Sequence, residues 1–448
     1  MATQAKLAPL PRLHSQLLEA RAHTDRLFEI IRTDALYDRP IPERHRIIFY
    51  IGHLEAFDWN LFRQKLSSPE PFSPGLDNLF SFGIDPVDGG LPIDQPNDWP
   101  ALTQIRDYVR HTRRSIDSTL DQTLAQISPN QHLSTLETLL HVAIEHRLMH
   151  AETLAYMFHQ LPYDRKSFRS QPNPAAPVSS NQMLEIPAGQ ATLGITPADS
   201  APFGWDNEFP SMVVDVPTFF IDKFMVTNAD YLQFLNDGGY QRSELWSVED
   251  WQWLQAHDIV HPAFWKPQGR EWLYVGMFQD IPLPENWPVY VSHAEASAFA
   301  RWSGKSLPTE AQWHRAAYAT RSSHERQFPW GSNSSQMLQG NFDFQRWDPV
   351  PVNTYPDNHS DFGVVGQLGN GWEWTSTQFA PFPGFQAFDF YPGYSANFFD
   401  GKHYVIKGGS ARTAACFLRR SFRNWFQPRY QYVYAGFRCV SNSEPNGK

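Results

Sequence analysis

The sequence predicts an α+β protein of two domains, in which a bundle of four helices precedes an irregular domain of short strands and loops. Three observations support this prediction: the length of 448 residues, the helical periodicity of the first part, and the change in composition after it. At roughly 100–200 residues per domain, this length suggests two or three domains. We place a bundle at residues 1–172, a linker at 173–182 and the second domain at 183–448.

Four segments of the first domain carry apolar residues at three- and four-residue spacing, which is typical of amphipathic helices. These segments are Leu13–Arg32, Pro42–Leu66, Trp99–Gln126 and Ser134–Gln160. Four helices of this length favour an up-and-down bundle. The two middle helices are joined by a long loop, Ser67–Asn97, which is rich in Pro, Gly and Asp. A loop of that length in a compact domain is usually functional or disordered.

The second domain is punctuated by Gly, Trp and Pro, which predicts short strands joined by turns. Its strand candidates are Met183–Ile186, Val213–Ile221, Pro288–Val291 and Tyr404–Ile406. Only two helices are predicted there, Asn228–Asn236 after a cap at Thr227, and Ser292–Ser303. The aromatic share of 15%, which includes 16 Trp, fits a loop-rich globular domain.

The composition argues against several classes of partner. A net charge of −10 would repel the phosphates of nucleic acids. Two cysteines, Cys416 and Cys439, cannot form a disulfide framework, and this favours a reducing compartment. The sequence has no signal-peptide pattern and no run of 18 apolar residues, so we expect a cytoplasmic protein without a membrane partner. The oligomeric state is not predicted.

The clearest chemical signal is a group of three histidines in the predicted bundle. His146 and His150 are four residues apart and therefore share one helix face, about 6 Å from each other. His53 lies on the second helix, on the face that also carries Phe49 and Phe57. Histidines that point into a bundle core from two facing helices are a metal-site arrangement. Three neutral imidazoles without a thiolate suit Zn, Fe or Cu.

A simpler interpretation of these residues stays open. His146 and His150 would then be ordinary helix-surface residues, and His53 a core histidine with satisfied hydrogen bonds. Glu152, two residues after His150, points away from it and is expected to orient a ligand or to cap a neighbouring helix. His159 is expected to be a surface residue.

The motifs of the chain resemble two known domain families. Residues 40–160 are similar to DinB-like metal-binding bundles, with the three histidines matching that family's pattern. The second half resembles the formylglycine-generating-enzyme/sulfatase-modifying-factor domain, which has a C-type-lectin-like fold. The matching motifs include Phe203-Gly-Trp-Asp-Asn-Glu208, Leu368-Gly-Asn-Gly-Trp-Glu-Trp-Thr375, Ser421-Phe-Arg-Asn-Trp425 and Gly436-Phe-Arg438. In this order, the two domains are similar to oxygen-dependent non-haem iron enzymes that join sulfur or selenium to an imidazole.

This resemblance implies a cofactor, substrates and a set of site residues. Fe(II) would be bound by His53, His146 and His150, and the substrates would be hercynine, a chalcogen donor and O2. Hercynine is trimethylhistidine, and aromatic faces bind its quaternary ammonium group well. Asn424 and Trp425 match the pair that faces this group in the family.

Departures from the family pattern concern both substrates. Met149 stands immediately before the third histidine, where sulfoxide synthases commonly have a Gln that hydrogen-bonds the acceptor. Phe426 and Tyr430 stand where enzymes that use γ-glutamylcysteine have an Asp and an Arg, so the charged pair that binds this dipeptide is missing. The long loop offers Asp85, Asp88 and Asp94 instead. These groups suit a neutral polyol better than an amino-acid dipeptide.

The tyrosine of the family's active site corresponds to Phe382. Proton delivery to an intermediate would then need another donor, for which Tyr391, Tyr394 or water are the candidates. Phe382 and Phe426 are also expected to form, with Trp425, a pocket for the permanent cation. Glu373 is expected to be a buried structural carboxylate, near which a structural calcium ion is one option. Arg420, Arg423 and Arg438 are expected to be structural.

Several functions remain open at this stage. A selenoneine synthase that uses hercynine and a selenosugar is favoured, because the charged donor site is missing. The alternatives within the family are an ergothioneine-type sulfoxide synthase using cysteine or another thiol, and an ovothiol-type enzyme acting on histidine. Formylglycine generation is disfavoured, since Cys416 has no second cysteine nearby. A different class of function is a lectin-like binding module without chemistry.

Overall fold

The computed structural model describes residues 9–63, 72–81, 92–126, 134–167, 181–196, 203–322, 324–331 and 339–444. The chain forms two compact units, Met1–Arg169 and Ser170–Lys448. The first unit is helical, and the second mixes short strands with helices, so the predicted α+β class is confirmed. Most of the predicted linker 173–182 lies outside the described residues, and its limits stay a prediction.

The first unit is built from four long helices and one short helix. They are α1 (Pro9–Phe28), α2 (Ile47–Arg63), α3 (Pro74–Ser81), α4 (Leu102–Gln126) and α5 (Ser134–His159). Helix α1 packs along α5, and α2 packs against α3, α4 and α5. The four predicted helices are all present. Helix α3 is a correction, because it lies inside the segment that we expected to be a long loop.

A buried ion network joins the long helices of the first unit. Arg147 of α5 is fully buried and donates to Glu55 at 3.0 Å and to Asp58 at 2.7 Å, both on α2. Arg113 of α4 donates to Glu55 at 2.8 Å, and Arg21 of α1 donates to Asp117 of α4 at 2.6 Å. Each helix therefore contributes at least one charge to the network.

The guanidinium groups of Arg147 and Arg113 keep Glu55 ionised. Burial alone would raise the pKa of Glu55, but the attraction of Arg147 and Arg113 outweighs it and lowers this pKa to about 2. Arg147 also donates to the backbone carbonyl of Leu54 at 3.0 Å. The cation thus fixes both the side chains and the main chain of α2 against α5.

The second unit contains small sheets and short helices. Its strands are β1 (Met183–Ile186), β2 (Gly189–Leu193), β3 (Met212–Val216), β4 (Phe219–Asp222), β5 (Trp265–Gln268), β6 (Glu271–Val275), β7 (Asp280–Pro282), β8 (Gly371–Gln378), β9 (Tyr404–Gly409), β10 (Asn424–Phe426), β11 (Ala435–Gly436) and β12 (Val440–Ser441). Its helices are α6 (Asn228–Asn236), α7 (Val248–Ala256), α8 (His293–Trp302) and α9 (Glu310–Tyr318).

The largest described sheet has the strand order β10-β9-β8-β11. Its β10 strand pairs antiparallel with β9, and residue Trp425 lies opposite Val405. The other sheets are β1-β4-β12, β5-β6-β7 and the pair β2-β3. Strand β10 is therefore held at the edge of this four-stranded sheet, which fixes the backbone of Asn424 and Trp425.

Buried arginine–carboxylate pairs hold the loops of the second unit. Arg438 and Glu373 form a two-bond ion pair at 2.6 and 2.7 Å, and both side chains are fully buried. Arg423 pairs with Glu310 of α9 at 2.9 Å. Arg420 pairs with a carboxylate as well, that of Glu325 at 2.7 Å. These contacts agree with the structural role expected of the three arginines.

Some predicted elements of the second unit differ from the structure. The run Val213–Ile221 is two strands, because Pro217 separates β3 from β4. Pro288–Val291 forms an isolated bridge from Pro288 to Thr227 and no strand. Helices α7 and α9 were not predicted, although Ser247 and Thr309 cap them through side-chain hydrogen bonds. Within the described residues, no helix combines the length and the apolar character that a bilayer crossing requires.

The substitution Arg147→Met tests the ion network. It removes the cation between Glu55 and Asp58, which stay buried, and we expect the free energy of unfolding to fall by about 3–5 kcal/mol. Urea denaturation followed by circular dichroism measures this loss. The control is Arg110→Met, which removes an exposed ion pair with Asp107 within α4 and should change stability by less than about 0.5 kcal/mol. Equal losses in both variants would contradict the role of Arg147.

Candidate metal centre

Three buried histidines converge inside the first unit. His53 of α2 and His146 and His150 of α5 each offer a ring nitrogen, and these nitrogens all lie within 4.8 Å of one another. The two Nε2 atoms of His146 and His150 are 3.1 Å apart. The interpretation of His146 and His150 as helix-surface residues is therefore wrong. Among the described residues, this is the one group of three or more His, Cys, Asp or Glu side chains with metal-ligand spacing.

The imidazoles of this group are neutral over the physiological range. Burial lowers the pKa of His53 to about 4. Burial and the neighbouring histidines also hold the pKa values of His146 and His150 well below their usual range. A neutral imidazole has a lone pair available for a metal, whereas a protonated one does not.

The geometry of the group fits a divalent metal. Two nitrogens that bind one metal at about 2.1 Å and at a right angle lie about 3.0 Å apart, close to the separation of His146 and His150. The Nε2 atom of His53 is buried and has no hydrogen-bond partner in the part of the chain that the structure describes. A buried ring nitrogen in that state is costly, and a bound metal would remove the cost. Imidazole ligands suit Fe, Zn, Cu and Ni.

Neighbouring residues fix the orientation of the ligand rings. The Nδ1–H group of His53 donates to the backbone carbonyl of Phe80 at 2.8 Å, which leaves Nε2 as the lone-pair nitrogen. The rings of Phe49 and Phe57 stack on His53 and His146, with centroids 4.7 and 3.4 Å apart. The four-residue spacing of Phe49, His53 and Phe57 was visible in the sequence. The contact with Phe80 was missed, since it depends on helix α3.

Other expectations for the first unit have different outcomes. Met149 is a half-buried residue of α5. His159 is buried, so its assignment to the surface is wrong. Asp94 accepts hydrogen bonds from Trp99 at 2.7 Å and from Arg46 at 3.0 Å, and these commit its carboxylate to the bundle. The donor-binding candidates Asp85 and Asp88 lie outside the described residues.

The second unit brings two of its predicted site residues, Trp425 and Tyr394, into one aromatic cluster. The ring of Trp425 stacks on Phe379 with centroids 4.1 Å apart. The ring of Tyr394, in an edge contact, and the tilted ring of Phe398 each lie 5.5 Å from it. Tyr394 stacks in turn on Trp205 at 3.9 Å. We name these five residues the Trp425 cluster. Sequence reasoning did not assign Phe379, Phe398 or Trp205 to the site, since they come from segments distant in the sequence.

The remaining candidates flank this cluster. Tyr391 packs against Tyr394 at 5.6 Å and is half-buried, whereas Tyr394 is buried. The side-chain oxygen of Asn424 accepts a hydrogen bond from the backbone of Trp425 at 2.9 Å. Phe382 is buried, and the guanidinium of Arg423 lies 4.2 Å from its ring centroid. A protein cation thus already lies against the ring of Phe382.

Two further expectations concern Phe426 and the calcium option. Phe426 and Tyr430 stack nearly parallel, with a centroid distance of 5.6 Å and an interplanar angle of 5°. Both oxygens of Glu373 are engaged, since Arg438 binds the two and Trp313 donates to one at 2.7 Å. This is the buried structural carboxylate that we expected. The calcium ion stays a prediction.

Comparison with known proteins places the chain. Residues 16–154 match the DinB superfamily, and residues 169–443 match the sulfatase-modifying factor enzyme 1-like domain. The hercynine oxygenase of Mycolicibacterium smegmatis is 32% identical over 439 residues, which cover 96% of this chain and 98% of that protein. The chain therefore belongs to the hercynine oxygenase family. The predicted order of a DinB-like bundle and a C-type-lectin-like domain is confirmed, and so is an enzyme of the oxidoreductase class.

Two other relatives match over about half of their own length. The hercynine oxygenase of Mycobacterium tuberculosis is 40% identical over 250 residues, 55% of this chain and 58% of that protein. The ergothioneine biosynthesis protein 1 of Neurospora crassa is 27% identical, over 92% of this chain and 55% of that protein. These names support the ergothioneine-type family that the motifs resemble.

The substitution His150→Ala tests the metal centre of this hercynine oxygenase family member. We expect elemental analysis of anaerobically purified protein to find one transition-metal ion per chain in the wild type and almost none in the variant. The reason is that two imidazoles hold a metal far less tightly than three. The control is His111→Ala, an exposed histidine of α4, which should keep the metal. A wild-type protein without transition metal would contradict the assignment.

Proposed function

We propose that the chain is a non-haem Fe(II)- and O2-dependent enzyme that forms a carbon–chalcogen bond at the imidazole C2 of hercynine. The convergence of three neutral, buried histidines in a member of this family carries the proposal. Bound Fe(II) would supply the activation of O2. The role of His53, His146 and His150 is to hold the ion and to leave positions for the reactants. The substrates are small molecules, and we retain the cytoplasmic location predicted from the sequence.

The Trp425 cluster supports the binding of hercynine's quaternary ammonium group. Trp425 is half-buried, and the stack on Phe379 holds its ring in place. A permanent cation binds an indole face through the ring quadrupole at little desolvation cost. Asn424 is fixed beside it by the hydrogen bond from the Trp425 backbone. Met149 would give the acceptor imidazole an apolar contact and no hydrogen bond.

For the donor, we propose a selenosugar and thus a selenoneine synthase activity. The stack of Phe426 on Tyr430 presents aromatic surface at the two positions where the related dipeptide-using enzymes carry a charged pair. The adjacent cation Arg429 is paired with Asp250 at 2.9 Å. A donor with free carboxylates would lose hydration there without gaining an ion pair, whereas a neutral sugar would not.

Proton transfer to the intermediate is proposed for Tyr391 ahead of Tyr394. Tyr394 is a member of the Trp425 cluster and is buried, with its ring stacked on Trp205, whereas Tyr391 packs beside Tyr394 and is half-buried. A proton donor must come within hydrogen-bond reach of the reacting group, which favours the more accessible phenol. Phe382 would contribute packing, since Arg423 lies over its ring.

A second candidate is formation of a carbon–sulfur bond with cysteine or another thiol. The names of the relatives, hercynine oxygenase and ergothioneine biosynthesis protein 1, favour it. The two candidates share the iron, the acceptor and the fold. They differ only in the donor.

A donor comparison separates these candidates. The Fe(II)-loaded enzyme is incubated with O2, hercynine and, in parallel, a selenosugar, cysteine or γ-glutamylcysteine, and products are identified by mass spectrometry. We expect the selenosugar to give the selenium-containing product at the highest rate, because Phe426 and Tyr430 provide no charge for the dipeptide. A sulfoxide from γ-glutamylcysteine as the sole product would overturn the choice of donor.

The substitution Trp425→Leu tests recognition of the acceptor. It removes a cation–π contact of about 1–2 kcal/mol, so the Kd of hercynine should rise about 5- to 30-fold, while the binding of histidine, which lacks the quaternary ammonium group, should change little. Isothermal titration calorimetry of the Fe(II)-loaded protein measures both. The matched control is Trp330→Leu, another half-buried tryptophan that stacks on a phenylalanine, Phe328, at 5.2 Å. Equal effects of the two variants would contradict the role of Trp425.

A further inference from the structure

Helix α3 provides the hydrogen-bond acceptor of the first ligand histidine. Its bounds are Pro74–Ser81, and the carbonyl of Phe80 belongs to its last turn. The last four carbonyls of a helix have no partner within the helix, and they carry its negative partial charge. One of these carbonyls accepts the Nδ1–H of His53 at 2.8 Å. Because a carbonyl oxygen can only accept, the bond selects the Nδ1–H tautomer.

The ring of Phe80 determines where this carbonyl lies. Phe80 is fully buried, and its ring lies directly on Gly52, the residue before His53. A Cβ atom at position 52 would overlap the ring atoms of Phe80, so only glycine admits the contact. The ring also contacts Tyr108 at 5.7 Å and Trp99 at 6.3 Å, which limits its freedom to move aside.

A second contact fixes the first turn of α3. Asp77 is buried and accepts a hydrogen bond from the phenol of Tyr108 on α4 at 2.7 Å. The helix is thus attached to α4 through Asp77 and to α2 through Phe80. An eight-residue helix is marginal by itself, so these contacts with its neighbours hold it in place.

We infer that α3 is the positioning element of the metal centre. The packing of the Phe80 ring on Gly52 positions the backbone carbonyl of Phe80. This carbonyl holds His53 in the Nδ1–H tautomer, with Nε2 as the metal-binding atom. Gly52 and Phe80 are positioning residues that act through His53. This inference rests on the proposed metal centre, but the tautomer that it specifies is a property of the metal-free protein.

The loss of this contact has a defined chemical consequence. Without the Phe80 carbonyl, the proton of His53 is free to move to Nε2, and the lone pair that faces His146 and His150 is lost. Loss of the hydrogen-bond partner behind a metal-bound histidine typically weakens metal binding 10- to 100-fold. Interference with the Phe80 ring is therefore expected to lower metal affinity, although no ligand atom changes.

Two glycine-to-alanine variants of the full chain test the inference. In Gly52→Ala, the new methyl group displaces the ring of Phe80. We expect the affinity for Fe(II), measured anaerobically by competition with a chromophoric chelator, to fall about 10- to 100-fold. The matched control is Gly75→Ala in α3, where an added Cβ meets no atom within 4 Å. Its affinity should equal that of wild type.

Nitrogen-15 NMR of histidine-labelled, metal-free protein reports the tautomer directly, with His53→Asn identifying the signals. Wild type and Gly75→Ala should show the Nδ1–H form at His53, and Gly52→Ala should show a shift toward Nε2–H. A merely structural role of Gly52 would leave the tautomer unchanged. A Gly52→Ala protein with the wild-type tautomer and affinity would overturn the inference. If wild type bound no Fe(II), the proposed function would fail, whereas the tautomer would still decide the role of α3.

A double variant tests the steric link. Leucine at position 80 lacks Cε2 and Cζ, two of the three Phe80 ring atoms that a Cβ at position 52 would overlap, and its flexible side chain can turn its Cδ atoms aside. Gly52→Ala combined with Phe80→Leu should therefore recover the Nδ1–H form and most of the Fe(II) affinity. A double variant as impaired as Gly52→Ala alone would overturn the proposed contact between Gly52 and Phe80.

Discussion

The arrangement of the first unit depends on one buried cation, the guanidinium of Arg147. It lies between Glu55 and Asp58 of α2, with contacts of 3.0 and 2.7 Å, in an interior where an unpaired charge would cost several kcal/mol. A slide of α5 by one residue would displace it by about 1.5 Å along the helix axis and break both contacts. The register that this ion network enforces is also the register that brings His146 against His53. The arrangement of the three histidines is therefore a consequence of a charge interaction on another side of the same helices.

The second unit uses the same kind of interaction to hold segments that have little regular structure. Arg438 binds Glu373, and Arg423 binds Glu310, across more than sixty and more than one hundred residues of sequence respectively. The first pair fixes the segment of Arg438 to strand β8, and the second fixes the residue before β10 to helix α9. Because Arg423 is two residues before Trp425, its pairing with α9 also limits movement of the strand that carries Trp425. Charged residues make up only 19% of the chain, and several of those in the second unit form buried ion pairs.

The parts that the sequence predicted depend on local spacing. The four long helices follow from apolar periodicity, and the three histidines follow from i, i+4 spacing and the family pattern. Helix α3 was missed because it has eight residues and is held by distant partners, Gly52 and Tyr108. The run Val213–Ile221 was predicted as one strand because its apolar character continues, but Pro217 divides it. Helices α7 and α9 were predictable in principle, because their capping residues Ser247 and Thr309 are a local sequence signal.

The distinction between local spacing and tertiary packing also separates the proposed metal site from the proposed substrate contacts. The proposed metal ligands lie on helices, where side-chain direction follows from position, so the sequence spacing of His53, His146 and His150 is enough to predict that they converge. The Trp425 cluster draws Trp205, Phe379 and Tyr394 from loops and strand ends, and only tertiary packing brings these rings together. The stack of Phe426 on Tyr430 likewise depends on both residues, so neither position by itself predicts the aromatic surface that the two form together. The proposed substrate contacts of this chain thus depend on aromatic packing on irregular segments, whereas the proposed metal ligands follow from helix periodicity.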